Sequence, residues 1–86
     1  MTTYISAVLA PSRANAAITT KAALKAAIKA DPNSVEFIST SAMHRNGSHF
    51  TLGEAVTAFG PRVGIELRLG RNVFMVEADA RSAVVR

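Results

Sequence analysis

The chain is predicted to be a small α+β domain. In that reading a sheet of four or five strands carries one main helix on one face and ends in an antiparallel β-meander. Three observations support this. Short runs rich in β-branched and aromatic residues (Thr3–Ala10, Val35–Ser41, Val63–Leu69, Val73–Ala78) are separated by turn residues. One stretch, Ser12–Ala30, combines high helix propensity with a helical apolar stripe. Two strand-like runs flank Gly70-Arg71-Asn72 at the spacing of a hairpin.

The first strand, Thr3–Ala10, is stopped by Pro11 and is too short for a helix. Ile5, Ala7 and Leu9 point one way, and Tyr4, Ser6, Val8 and Ala10 the other. Both sets are largely apolar, so the strand is read as central and buried on both sides. The helix follows, with Ser12 as N-cap or, in a shorter version, Thr19 or Thr20. Ala17, Ala23, Leu24, Ala27 and Ile28 form its apolar stripe, and Lys21, Lys25 and Lys29 a neighbouring basic one. Asp31-Pro32 ends it, because proline disfavours a helical conformation in the preceding residue. Val35–Ser41 is the second strand, and strand, helix and strand together suggest a βαβ unit, right-handed if its strands are parallel.

Ala42–Ser48 is read as a loop with Asn46-Gly47 as its turn. Thr51-Leu52-Gly53-Glu54 matches a capping box, although Gly53 and Gly60-Pro61 leave room only for a short helix, and an irregular connection or short strand is an alternative. The meander comprises Val63–Leu69, Val73–Ala78 and a further short run at Ala83–Arg86. If Gly70-Arg71 is a two-residue turn with glycine first, Leu67 faces Phe74 and Ile65 faces Val76. Glu66, Arg68, Val73, Met75 and Glu77 then share the opposite face. A turn shifted by one residue would still leave apolar groups on both faces. One helix covers one face, so the other is expected to meet a partner unless residues 42–62 fold over it.

The 86 residues form a single domain, 1–86, in which one core is marginal without help. The chain has no cysteine, which removes disulfides and thiolate metal sites, and two histidines offer little for a metal. Association is the remaining aid, and a homo-oligomer is expected. With 49% hydrophobic and 19% charged residues, the composition is that of a globular domain. No apolar run approaches the roughly 18 residues of a membrane span. Met1-Thr2-Thr3-Tyr4 lacks a basic n-region, so no signal peptide and a cytoplasmic location are expected. The net charge of +4 would favour contact with nucleic acid or an acidic protein.

Three groups of side chains are candidates for chemistry. Lys21, Lys25 and Lys29 could present a positive rail to phosphates, with Arg45 and Arg71 in support. The preferred account is a solvated helix face, since no aromatic residues interleave with the lysines. His44, Arg45 and His49 share the central segment, yet no carboxylate accompanies them, and a polar surface loop is preferred to a site. Ser39-Thr40-Ser41 supplies hydroxyls without a base beside them. The glycines stand apart at turn-like positions, so no phosphate-binding loop is formed. No cofactor and no enzymatic activity are expected.

The order of segments over residues 1–41 resembles that of small accessory proteins of actinobacterial phages. The opening Met1-Thr2-Thr3-Tyr4 strand, the Ala/Lys-rich helix, Asp31-Pro32-Asn33-Ser34-Val35 and Ser39-Thr40-Ser41 carry the resemblance. The second half keeps little beyond Gly60-Pro61 and the meander. The resemblance implies a phage-encoded protein acting in an infected bacterial cytoplasm or, as an alternative, built into a virion. It implies no defined activity and transfers no functional residue. The leading expectation is a non-enzymatic accessory protein that self-associates and binds a host or phage protein, with contacts at Tyr4, Val8, Val73 and Met75 and Arg71 at the hairpin tip. Nucleic-acid binding through the lysine stripe, and a minor structural role in the virion, are the alternatives.

Overall fold

The computed structural model describes residues 2–40 and 49–86. The sequence readings for Ser41, Met43, His44, Arg45 and Asn46-Gly47 lie outside the described residues. Ten elements follow in order: β1 (Thr3–Leu9), a 3-10 turn (Arg13–Asn15), α1 (Lys21–Ala30), a second 3-10 turn (Pro32–Ser34), β2 (Phe37–Ser39), β3 (His49–Phe50), α2 (Leu52–Phe59), β4 (Arg62–Leu69), β5 (Asn72–Asp79) and β6 (Ala83–Val85). The α+β class is as read from the sequence. The sheet has six strands where four or five were expected, in the order β3-β2-β1-β4-β5-β6. The two-residue β3 is the addition, too short to leave a pattern in the sequence.

The helix is shorter than its propensity suggested. It begins at Lys21, and Thr20 caps it by accepting the Ala23 N–H at 3.2 Å. Ser12 caps nothing, and its hydroxyl is buried without a hydrogen-bond partner. Residues 12–20 are held instead by Asn15. Its buried amide donates to the carbonyls of Ala10 (2.9 Å) and Glu36 (2.7 Å) and accepts from the Glu36 N–H (3.4 Å). A side chain that satisfies backbone groups in this way competes with helix formation.

The βαβ reading is corrected as well. The Asn15 amide, bonded to both Ala10 and Glu36, ties the chain's exit from β1 to its entry into β2. The chain therefore returns to the end it left: Leu9 pairs with Phe37, and β1 and β2 are antiparallel. The parallel neighbour of β1 is β4, with Ile5 opposite Ile65 and Ala7 opposite Leu67.

The C-terminal strands pair antiparallel, with β4 and β5 longer than read and β6 ending at Val85. Ile65 faces Val76 and Leu67 faces Phe74 across a turn at Gly70-Arg71, and β6 pairs antiparallel with β5. Gly70 has φ 63°, the left-handed conformation that the first position of such a turn requires. α2 opens on a complete capping box. Thr51 Oγ1 accepts the Glu54 N–H at 3.3 Å, and Glu54 Oε1 accepts the Thr51 N–H at 3.1 Å.

Both helices lie on the same face. Leu24 and Ile28 of α1 and Leu52 and Ala55 of α2 join Ile5, Phe37, Val63, Ile65, Leu67 and Val76 in one core cluster. Ile18, from the connection before α1, belongs to the same cluster. The Phe37 and Phe50 rings stack 5.7 Å apart toward the β3 edge. The described residues thus form a two-layer sandwich in which they cover one sheet face.

Candidate functional site

Strand alternation places the residues that are not in the core on the other sheet face, and the register sorts them into rows. One row runs His49, Ile38, Val8, Arg68, Val73 from β3 to β5. The next holds Ser6, Glu66 and Met75, and a third Tyr4, Gly64, Glu77 and Val84. Tyr4, Val73 and Val84 are 57%, 56% and 47% exposed, and Val8, Ile38 and Met75 are half-buried. Among the described residues no helix or loop lies over this face.

The four face residues expected from the sequence, Tyr4, Val8, Val73 and Met75, are therefore brought together on one surface. β1 is central as read, but it is buried on one side only: Ile5 and Ala7 are in the core, whereas Tyr4 is exposed. Ala10 departs from the outward set, because the strand ends at Leu9 and Ala10 turns into the interior at 2% exposure. Arg71 stands exposed in the hairpin turn at the end of the molecule. Of the stretch 42–62, α2 packs on the core side, not on the open face.

Two apolar members of the surface were missed, Ile38 and Val84. Ile38 lies between the buried Phe37 and Ser39, a direction that a three-residue strand is too short to show in its pattern. Val84 required the pairing of β6, where Ala83 and Val85 turn inward.

Gly64 shapes the middle of the face. A Cβ there would lie 2.6 Å from Tyr4 Cδ1, 2.7 Å from Tyr4 Cε1 and 3.2 Å from Met75 Sδ. The tyrosine ring therefore lies across the bare glycine backbone of its strand partner, an aromatic covering of a strand glycine, and the Met75 sulfur borders the same spot. Tyr4 and Met75 form a small apolar platform that neither would make alone.

The charges on this face are mixed. Outward positions carry Glu66, Glu77 and Asp79 against Arg62, Arg68 and Arg86. Arg86 Nε is 3.3 Å from Glu77 Oε2. At the β3 edge, His49 Nδ1 is 3.6 Å from Glu36 Oε2. The Asp79 carboxylate lies below its ordinary pKa because it accepts the backbone N–H groups of Arg81 and Ser82, each at 2.8 Å.

The lysine stripe is elsewhere, on the helical layer. Lys21, Lys25 and Lys29 are exposed, and the Lys21 ammonium stands 5.5 Å from the centre of the Phe74 ring. Lys25 and Lys29 run beside β6. The stripe and the apolar face are thus separate surfaces. Among the described residues no three His, Asp or Glu side chains gather in a way that could hold a metal ion. No helix among them is long and apolar enough to cross a membrane. No protein-family model, curated protein sequence or solved structure matches the chain.

Proposed function

We propose that this protein is a non-enzymatic accessory protein that works by self-association, two copies meeting through their uncovered sheet faces. The observation that carries this reading is the surface formed by Tyr4, Val8, Ile38, Val73, Met75 and Val84, with no covering element among the described residues. Its charge pattern favours a second copy over a partner of one sign. Glu66 and Arg68 lie two residues apart on the central strand β4. A two-fold axis crossing β4 at Leu67 sets each Glu66 over the other copy's Arg68, as an isologous contact requires. The same operation brings Val73 over Met75. The phage setting, and with it a host or phage protein as further partner, comes from the resemblance of residues 1–41.

Sedimentation equilibrium from about 5 to 500 μM tests this reading. The wild type is expected to show a monomer–dimer equilibrium, and Val73→Asp, at an exposed position that leaves the core intact, a monomer throughout. A wild type that is strictly monomeric at high micromolar concentration overturns it.

A second reading, nucleic-acid binding through Lys21, Lys25, Lys29 and Arg71, is favoured by one observation: among the described residues no ion pair neutralises the three lysines. It requires an affinity for duplex or single strand that falls steeply with salt. A low-salt fluorescence titration without binding disposes of it.

A further inference from the structure

Among the described residues the edge strand β6 is paired with β5 on one side only. The Asp79 N–H donates to the Ser82 carbonyl at 2.9 Å and the Arg86 N–H to the Met75 carbonyl at 2.7 Å. Hydrogen-bonded pairs in an antiparallel ladder recur every second residue, so Val84 between them also directs its backbone toward β5. The backbone N–H and C=O groups of Ala83 and Val85 therefore point outward, two donors and two acceptors on an open edge.

α1 runs beside this edge. Lys25, Ala26, Ile28 and Lys29 line one wall of a groove whose other wall is Ala83, Val84 and Val85. The groove is apolar between its lysines, and neither lysine has a carboxylate partner among the described residues. Lysines four apart on a helix are separated by about 6 Å along its axis. Alternate side chains of an extended strand are about 6.7 Å apart. Carboxylates at every second position of a strand laid along β6 thus match the lysine spacing.

Charge also decides between the possible occupants. A second copy docking β6 against β6 would bring two lysine rails together, and lysine beside an edge is a recognised guard against such pairing. An acidic strand meets no such repulsion. A nucleic acid would satisfy the lysines but would leave the peptide groups of Ala83 and Val85 unused.

We propose that the β6 edge and the Lys25/Lys29 rim form a docking groove for an extended acidic segment of a partner protein, which adds to the sheet as a further strand with carboxylates at alternate positions. Main-chain hydrogen bonds supply the attachment and the lysines the preference, the mode known as β-strand addition. The groove adjoins the proposed self-association face at Val84 and shares no other residue with it.

The test is a titration of the full chain, followed by amide NMR, with the peptide acetyl-Thr-Glu-Val-Glu-Val-Glu-Thr-amide up to about 1 mM. Saturable shifts and slowed hydrogen exchange are expected at the amides of Ala83 and Val85. Replacing the three glutamates by glutamine, or introducing Lys25→Glu with Lys29→Glu, is expected to weaken binding about 5- to 20-fold, the loss or reversal of two exposed ion pairs. N-methylation of alternate peptide bonds is expected to abolish it. The proposal is overturned if the Ala83 and Val85 amides do not respond, if N-methylation has no effect, or if an oligothymidylate shifts the lysine-side resonances while the peptide does not. Repeating the titration on Val73→Asp separates the groove from the face, because the groove is expected to bind equally well in the monomer.

Discussion

Asn15 shows how one side chain can redirect an element. Its amide holds the carbonyls of Ala10 and Glu36 together where β1 leaves the sheet and β2 re-enters it. Asn15→Ala removes three hydrogen bonds at a buried site and is expected to cost about 2 kcal/mol in chemical denaturation, with Asn15→Asp comparably harmful because it cannot donate. Gly64 makes the opposite point, since its value lies in what it lacks. Gly64→Ala must displace the Tyr4 ring and is expected to cost about 1 kcal/mol. In a Tyr4→Ala background the same change is expected to be neutral or favourable, because alanine suits a strand interior better than glycine. A double-mutant cycle on thermal unfolding reads the difference.

At the scale of elements, ends matter more than interiors. The capping box of α2 was legible as Thr51-Leu52-Gly53-Glu54, and both of its reciprocal hydrogen bonds are made. The helix is only eight residues long, so its nucleation leans on that cap. Thr51→Ala is expected to lower stability by about 1 kcal/mol, with helix signal lost before the sheet in a far-UV circular dichroism melt. The β5–β6 turn depends on charge. Asp79 accepts the N–H groups of Arg81 and Ser82 as a carboxylate, and its pKa is lowered in the folded state. Such a group stabilises the fold above its unfolded pKa, and the contribution disappears as pH falls through the folded value. Protection of the Val84 and Arg86 amides, the ones turned toward β5, against hydrogen exchange is therefore expected to be level at neutral pH and to fall below about pH 4. Asp79→Asn is expected to lack that acid step.

For the whole molecule, the open face couples stability to concentration. If two copies bury it, the melting temperature of the wild type rises with protein concentration and that of Val73→Asp does not, because association stabilises only the folded state. A scanning-calorimetry series over about two decades of concentration checks this. Equal melting curves at every concentration would count against association as the source of stability.

Much of the candidate site was legible because strand alternation has a period of two, and Tyr4, Val8, Val73 and Met75 follow from it once the hairpin register is known. The structure fixes that register with a turn at Gly70-Arg71, where glycine takes the positive φ the turn requires. Ile38 and Val84 were not legible, because strands of three residues carry too little pattern to show which way they face.

The sequence by itself determined the α+β class, the hairpin and the surplus of apolar residues on the sheet. All of these arise from contacts between residues close along the chain, or from periodicity within one element. Only the tertiary structure decided that α1 starts at Lys21, that β1 and β2 run antiparallel, and that both helices share one face. Those outcomes rest on contacts between distant residues: the Asn15 amide bridging to Glu36, and Leu52 and Ala55 joining Leu24 and Ile28 in one core. Local propensity cannot register such contacts.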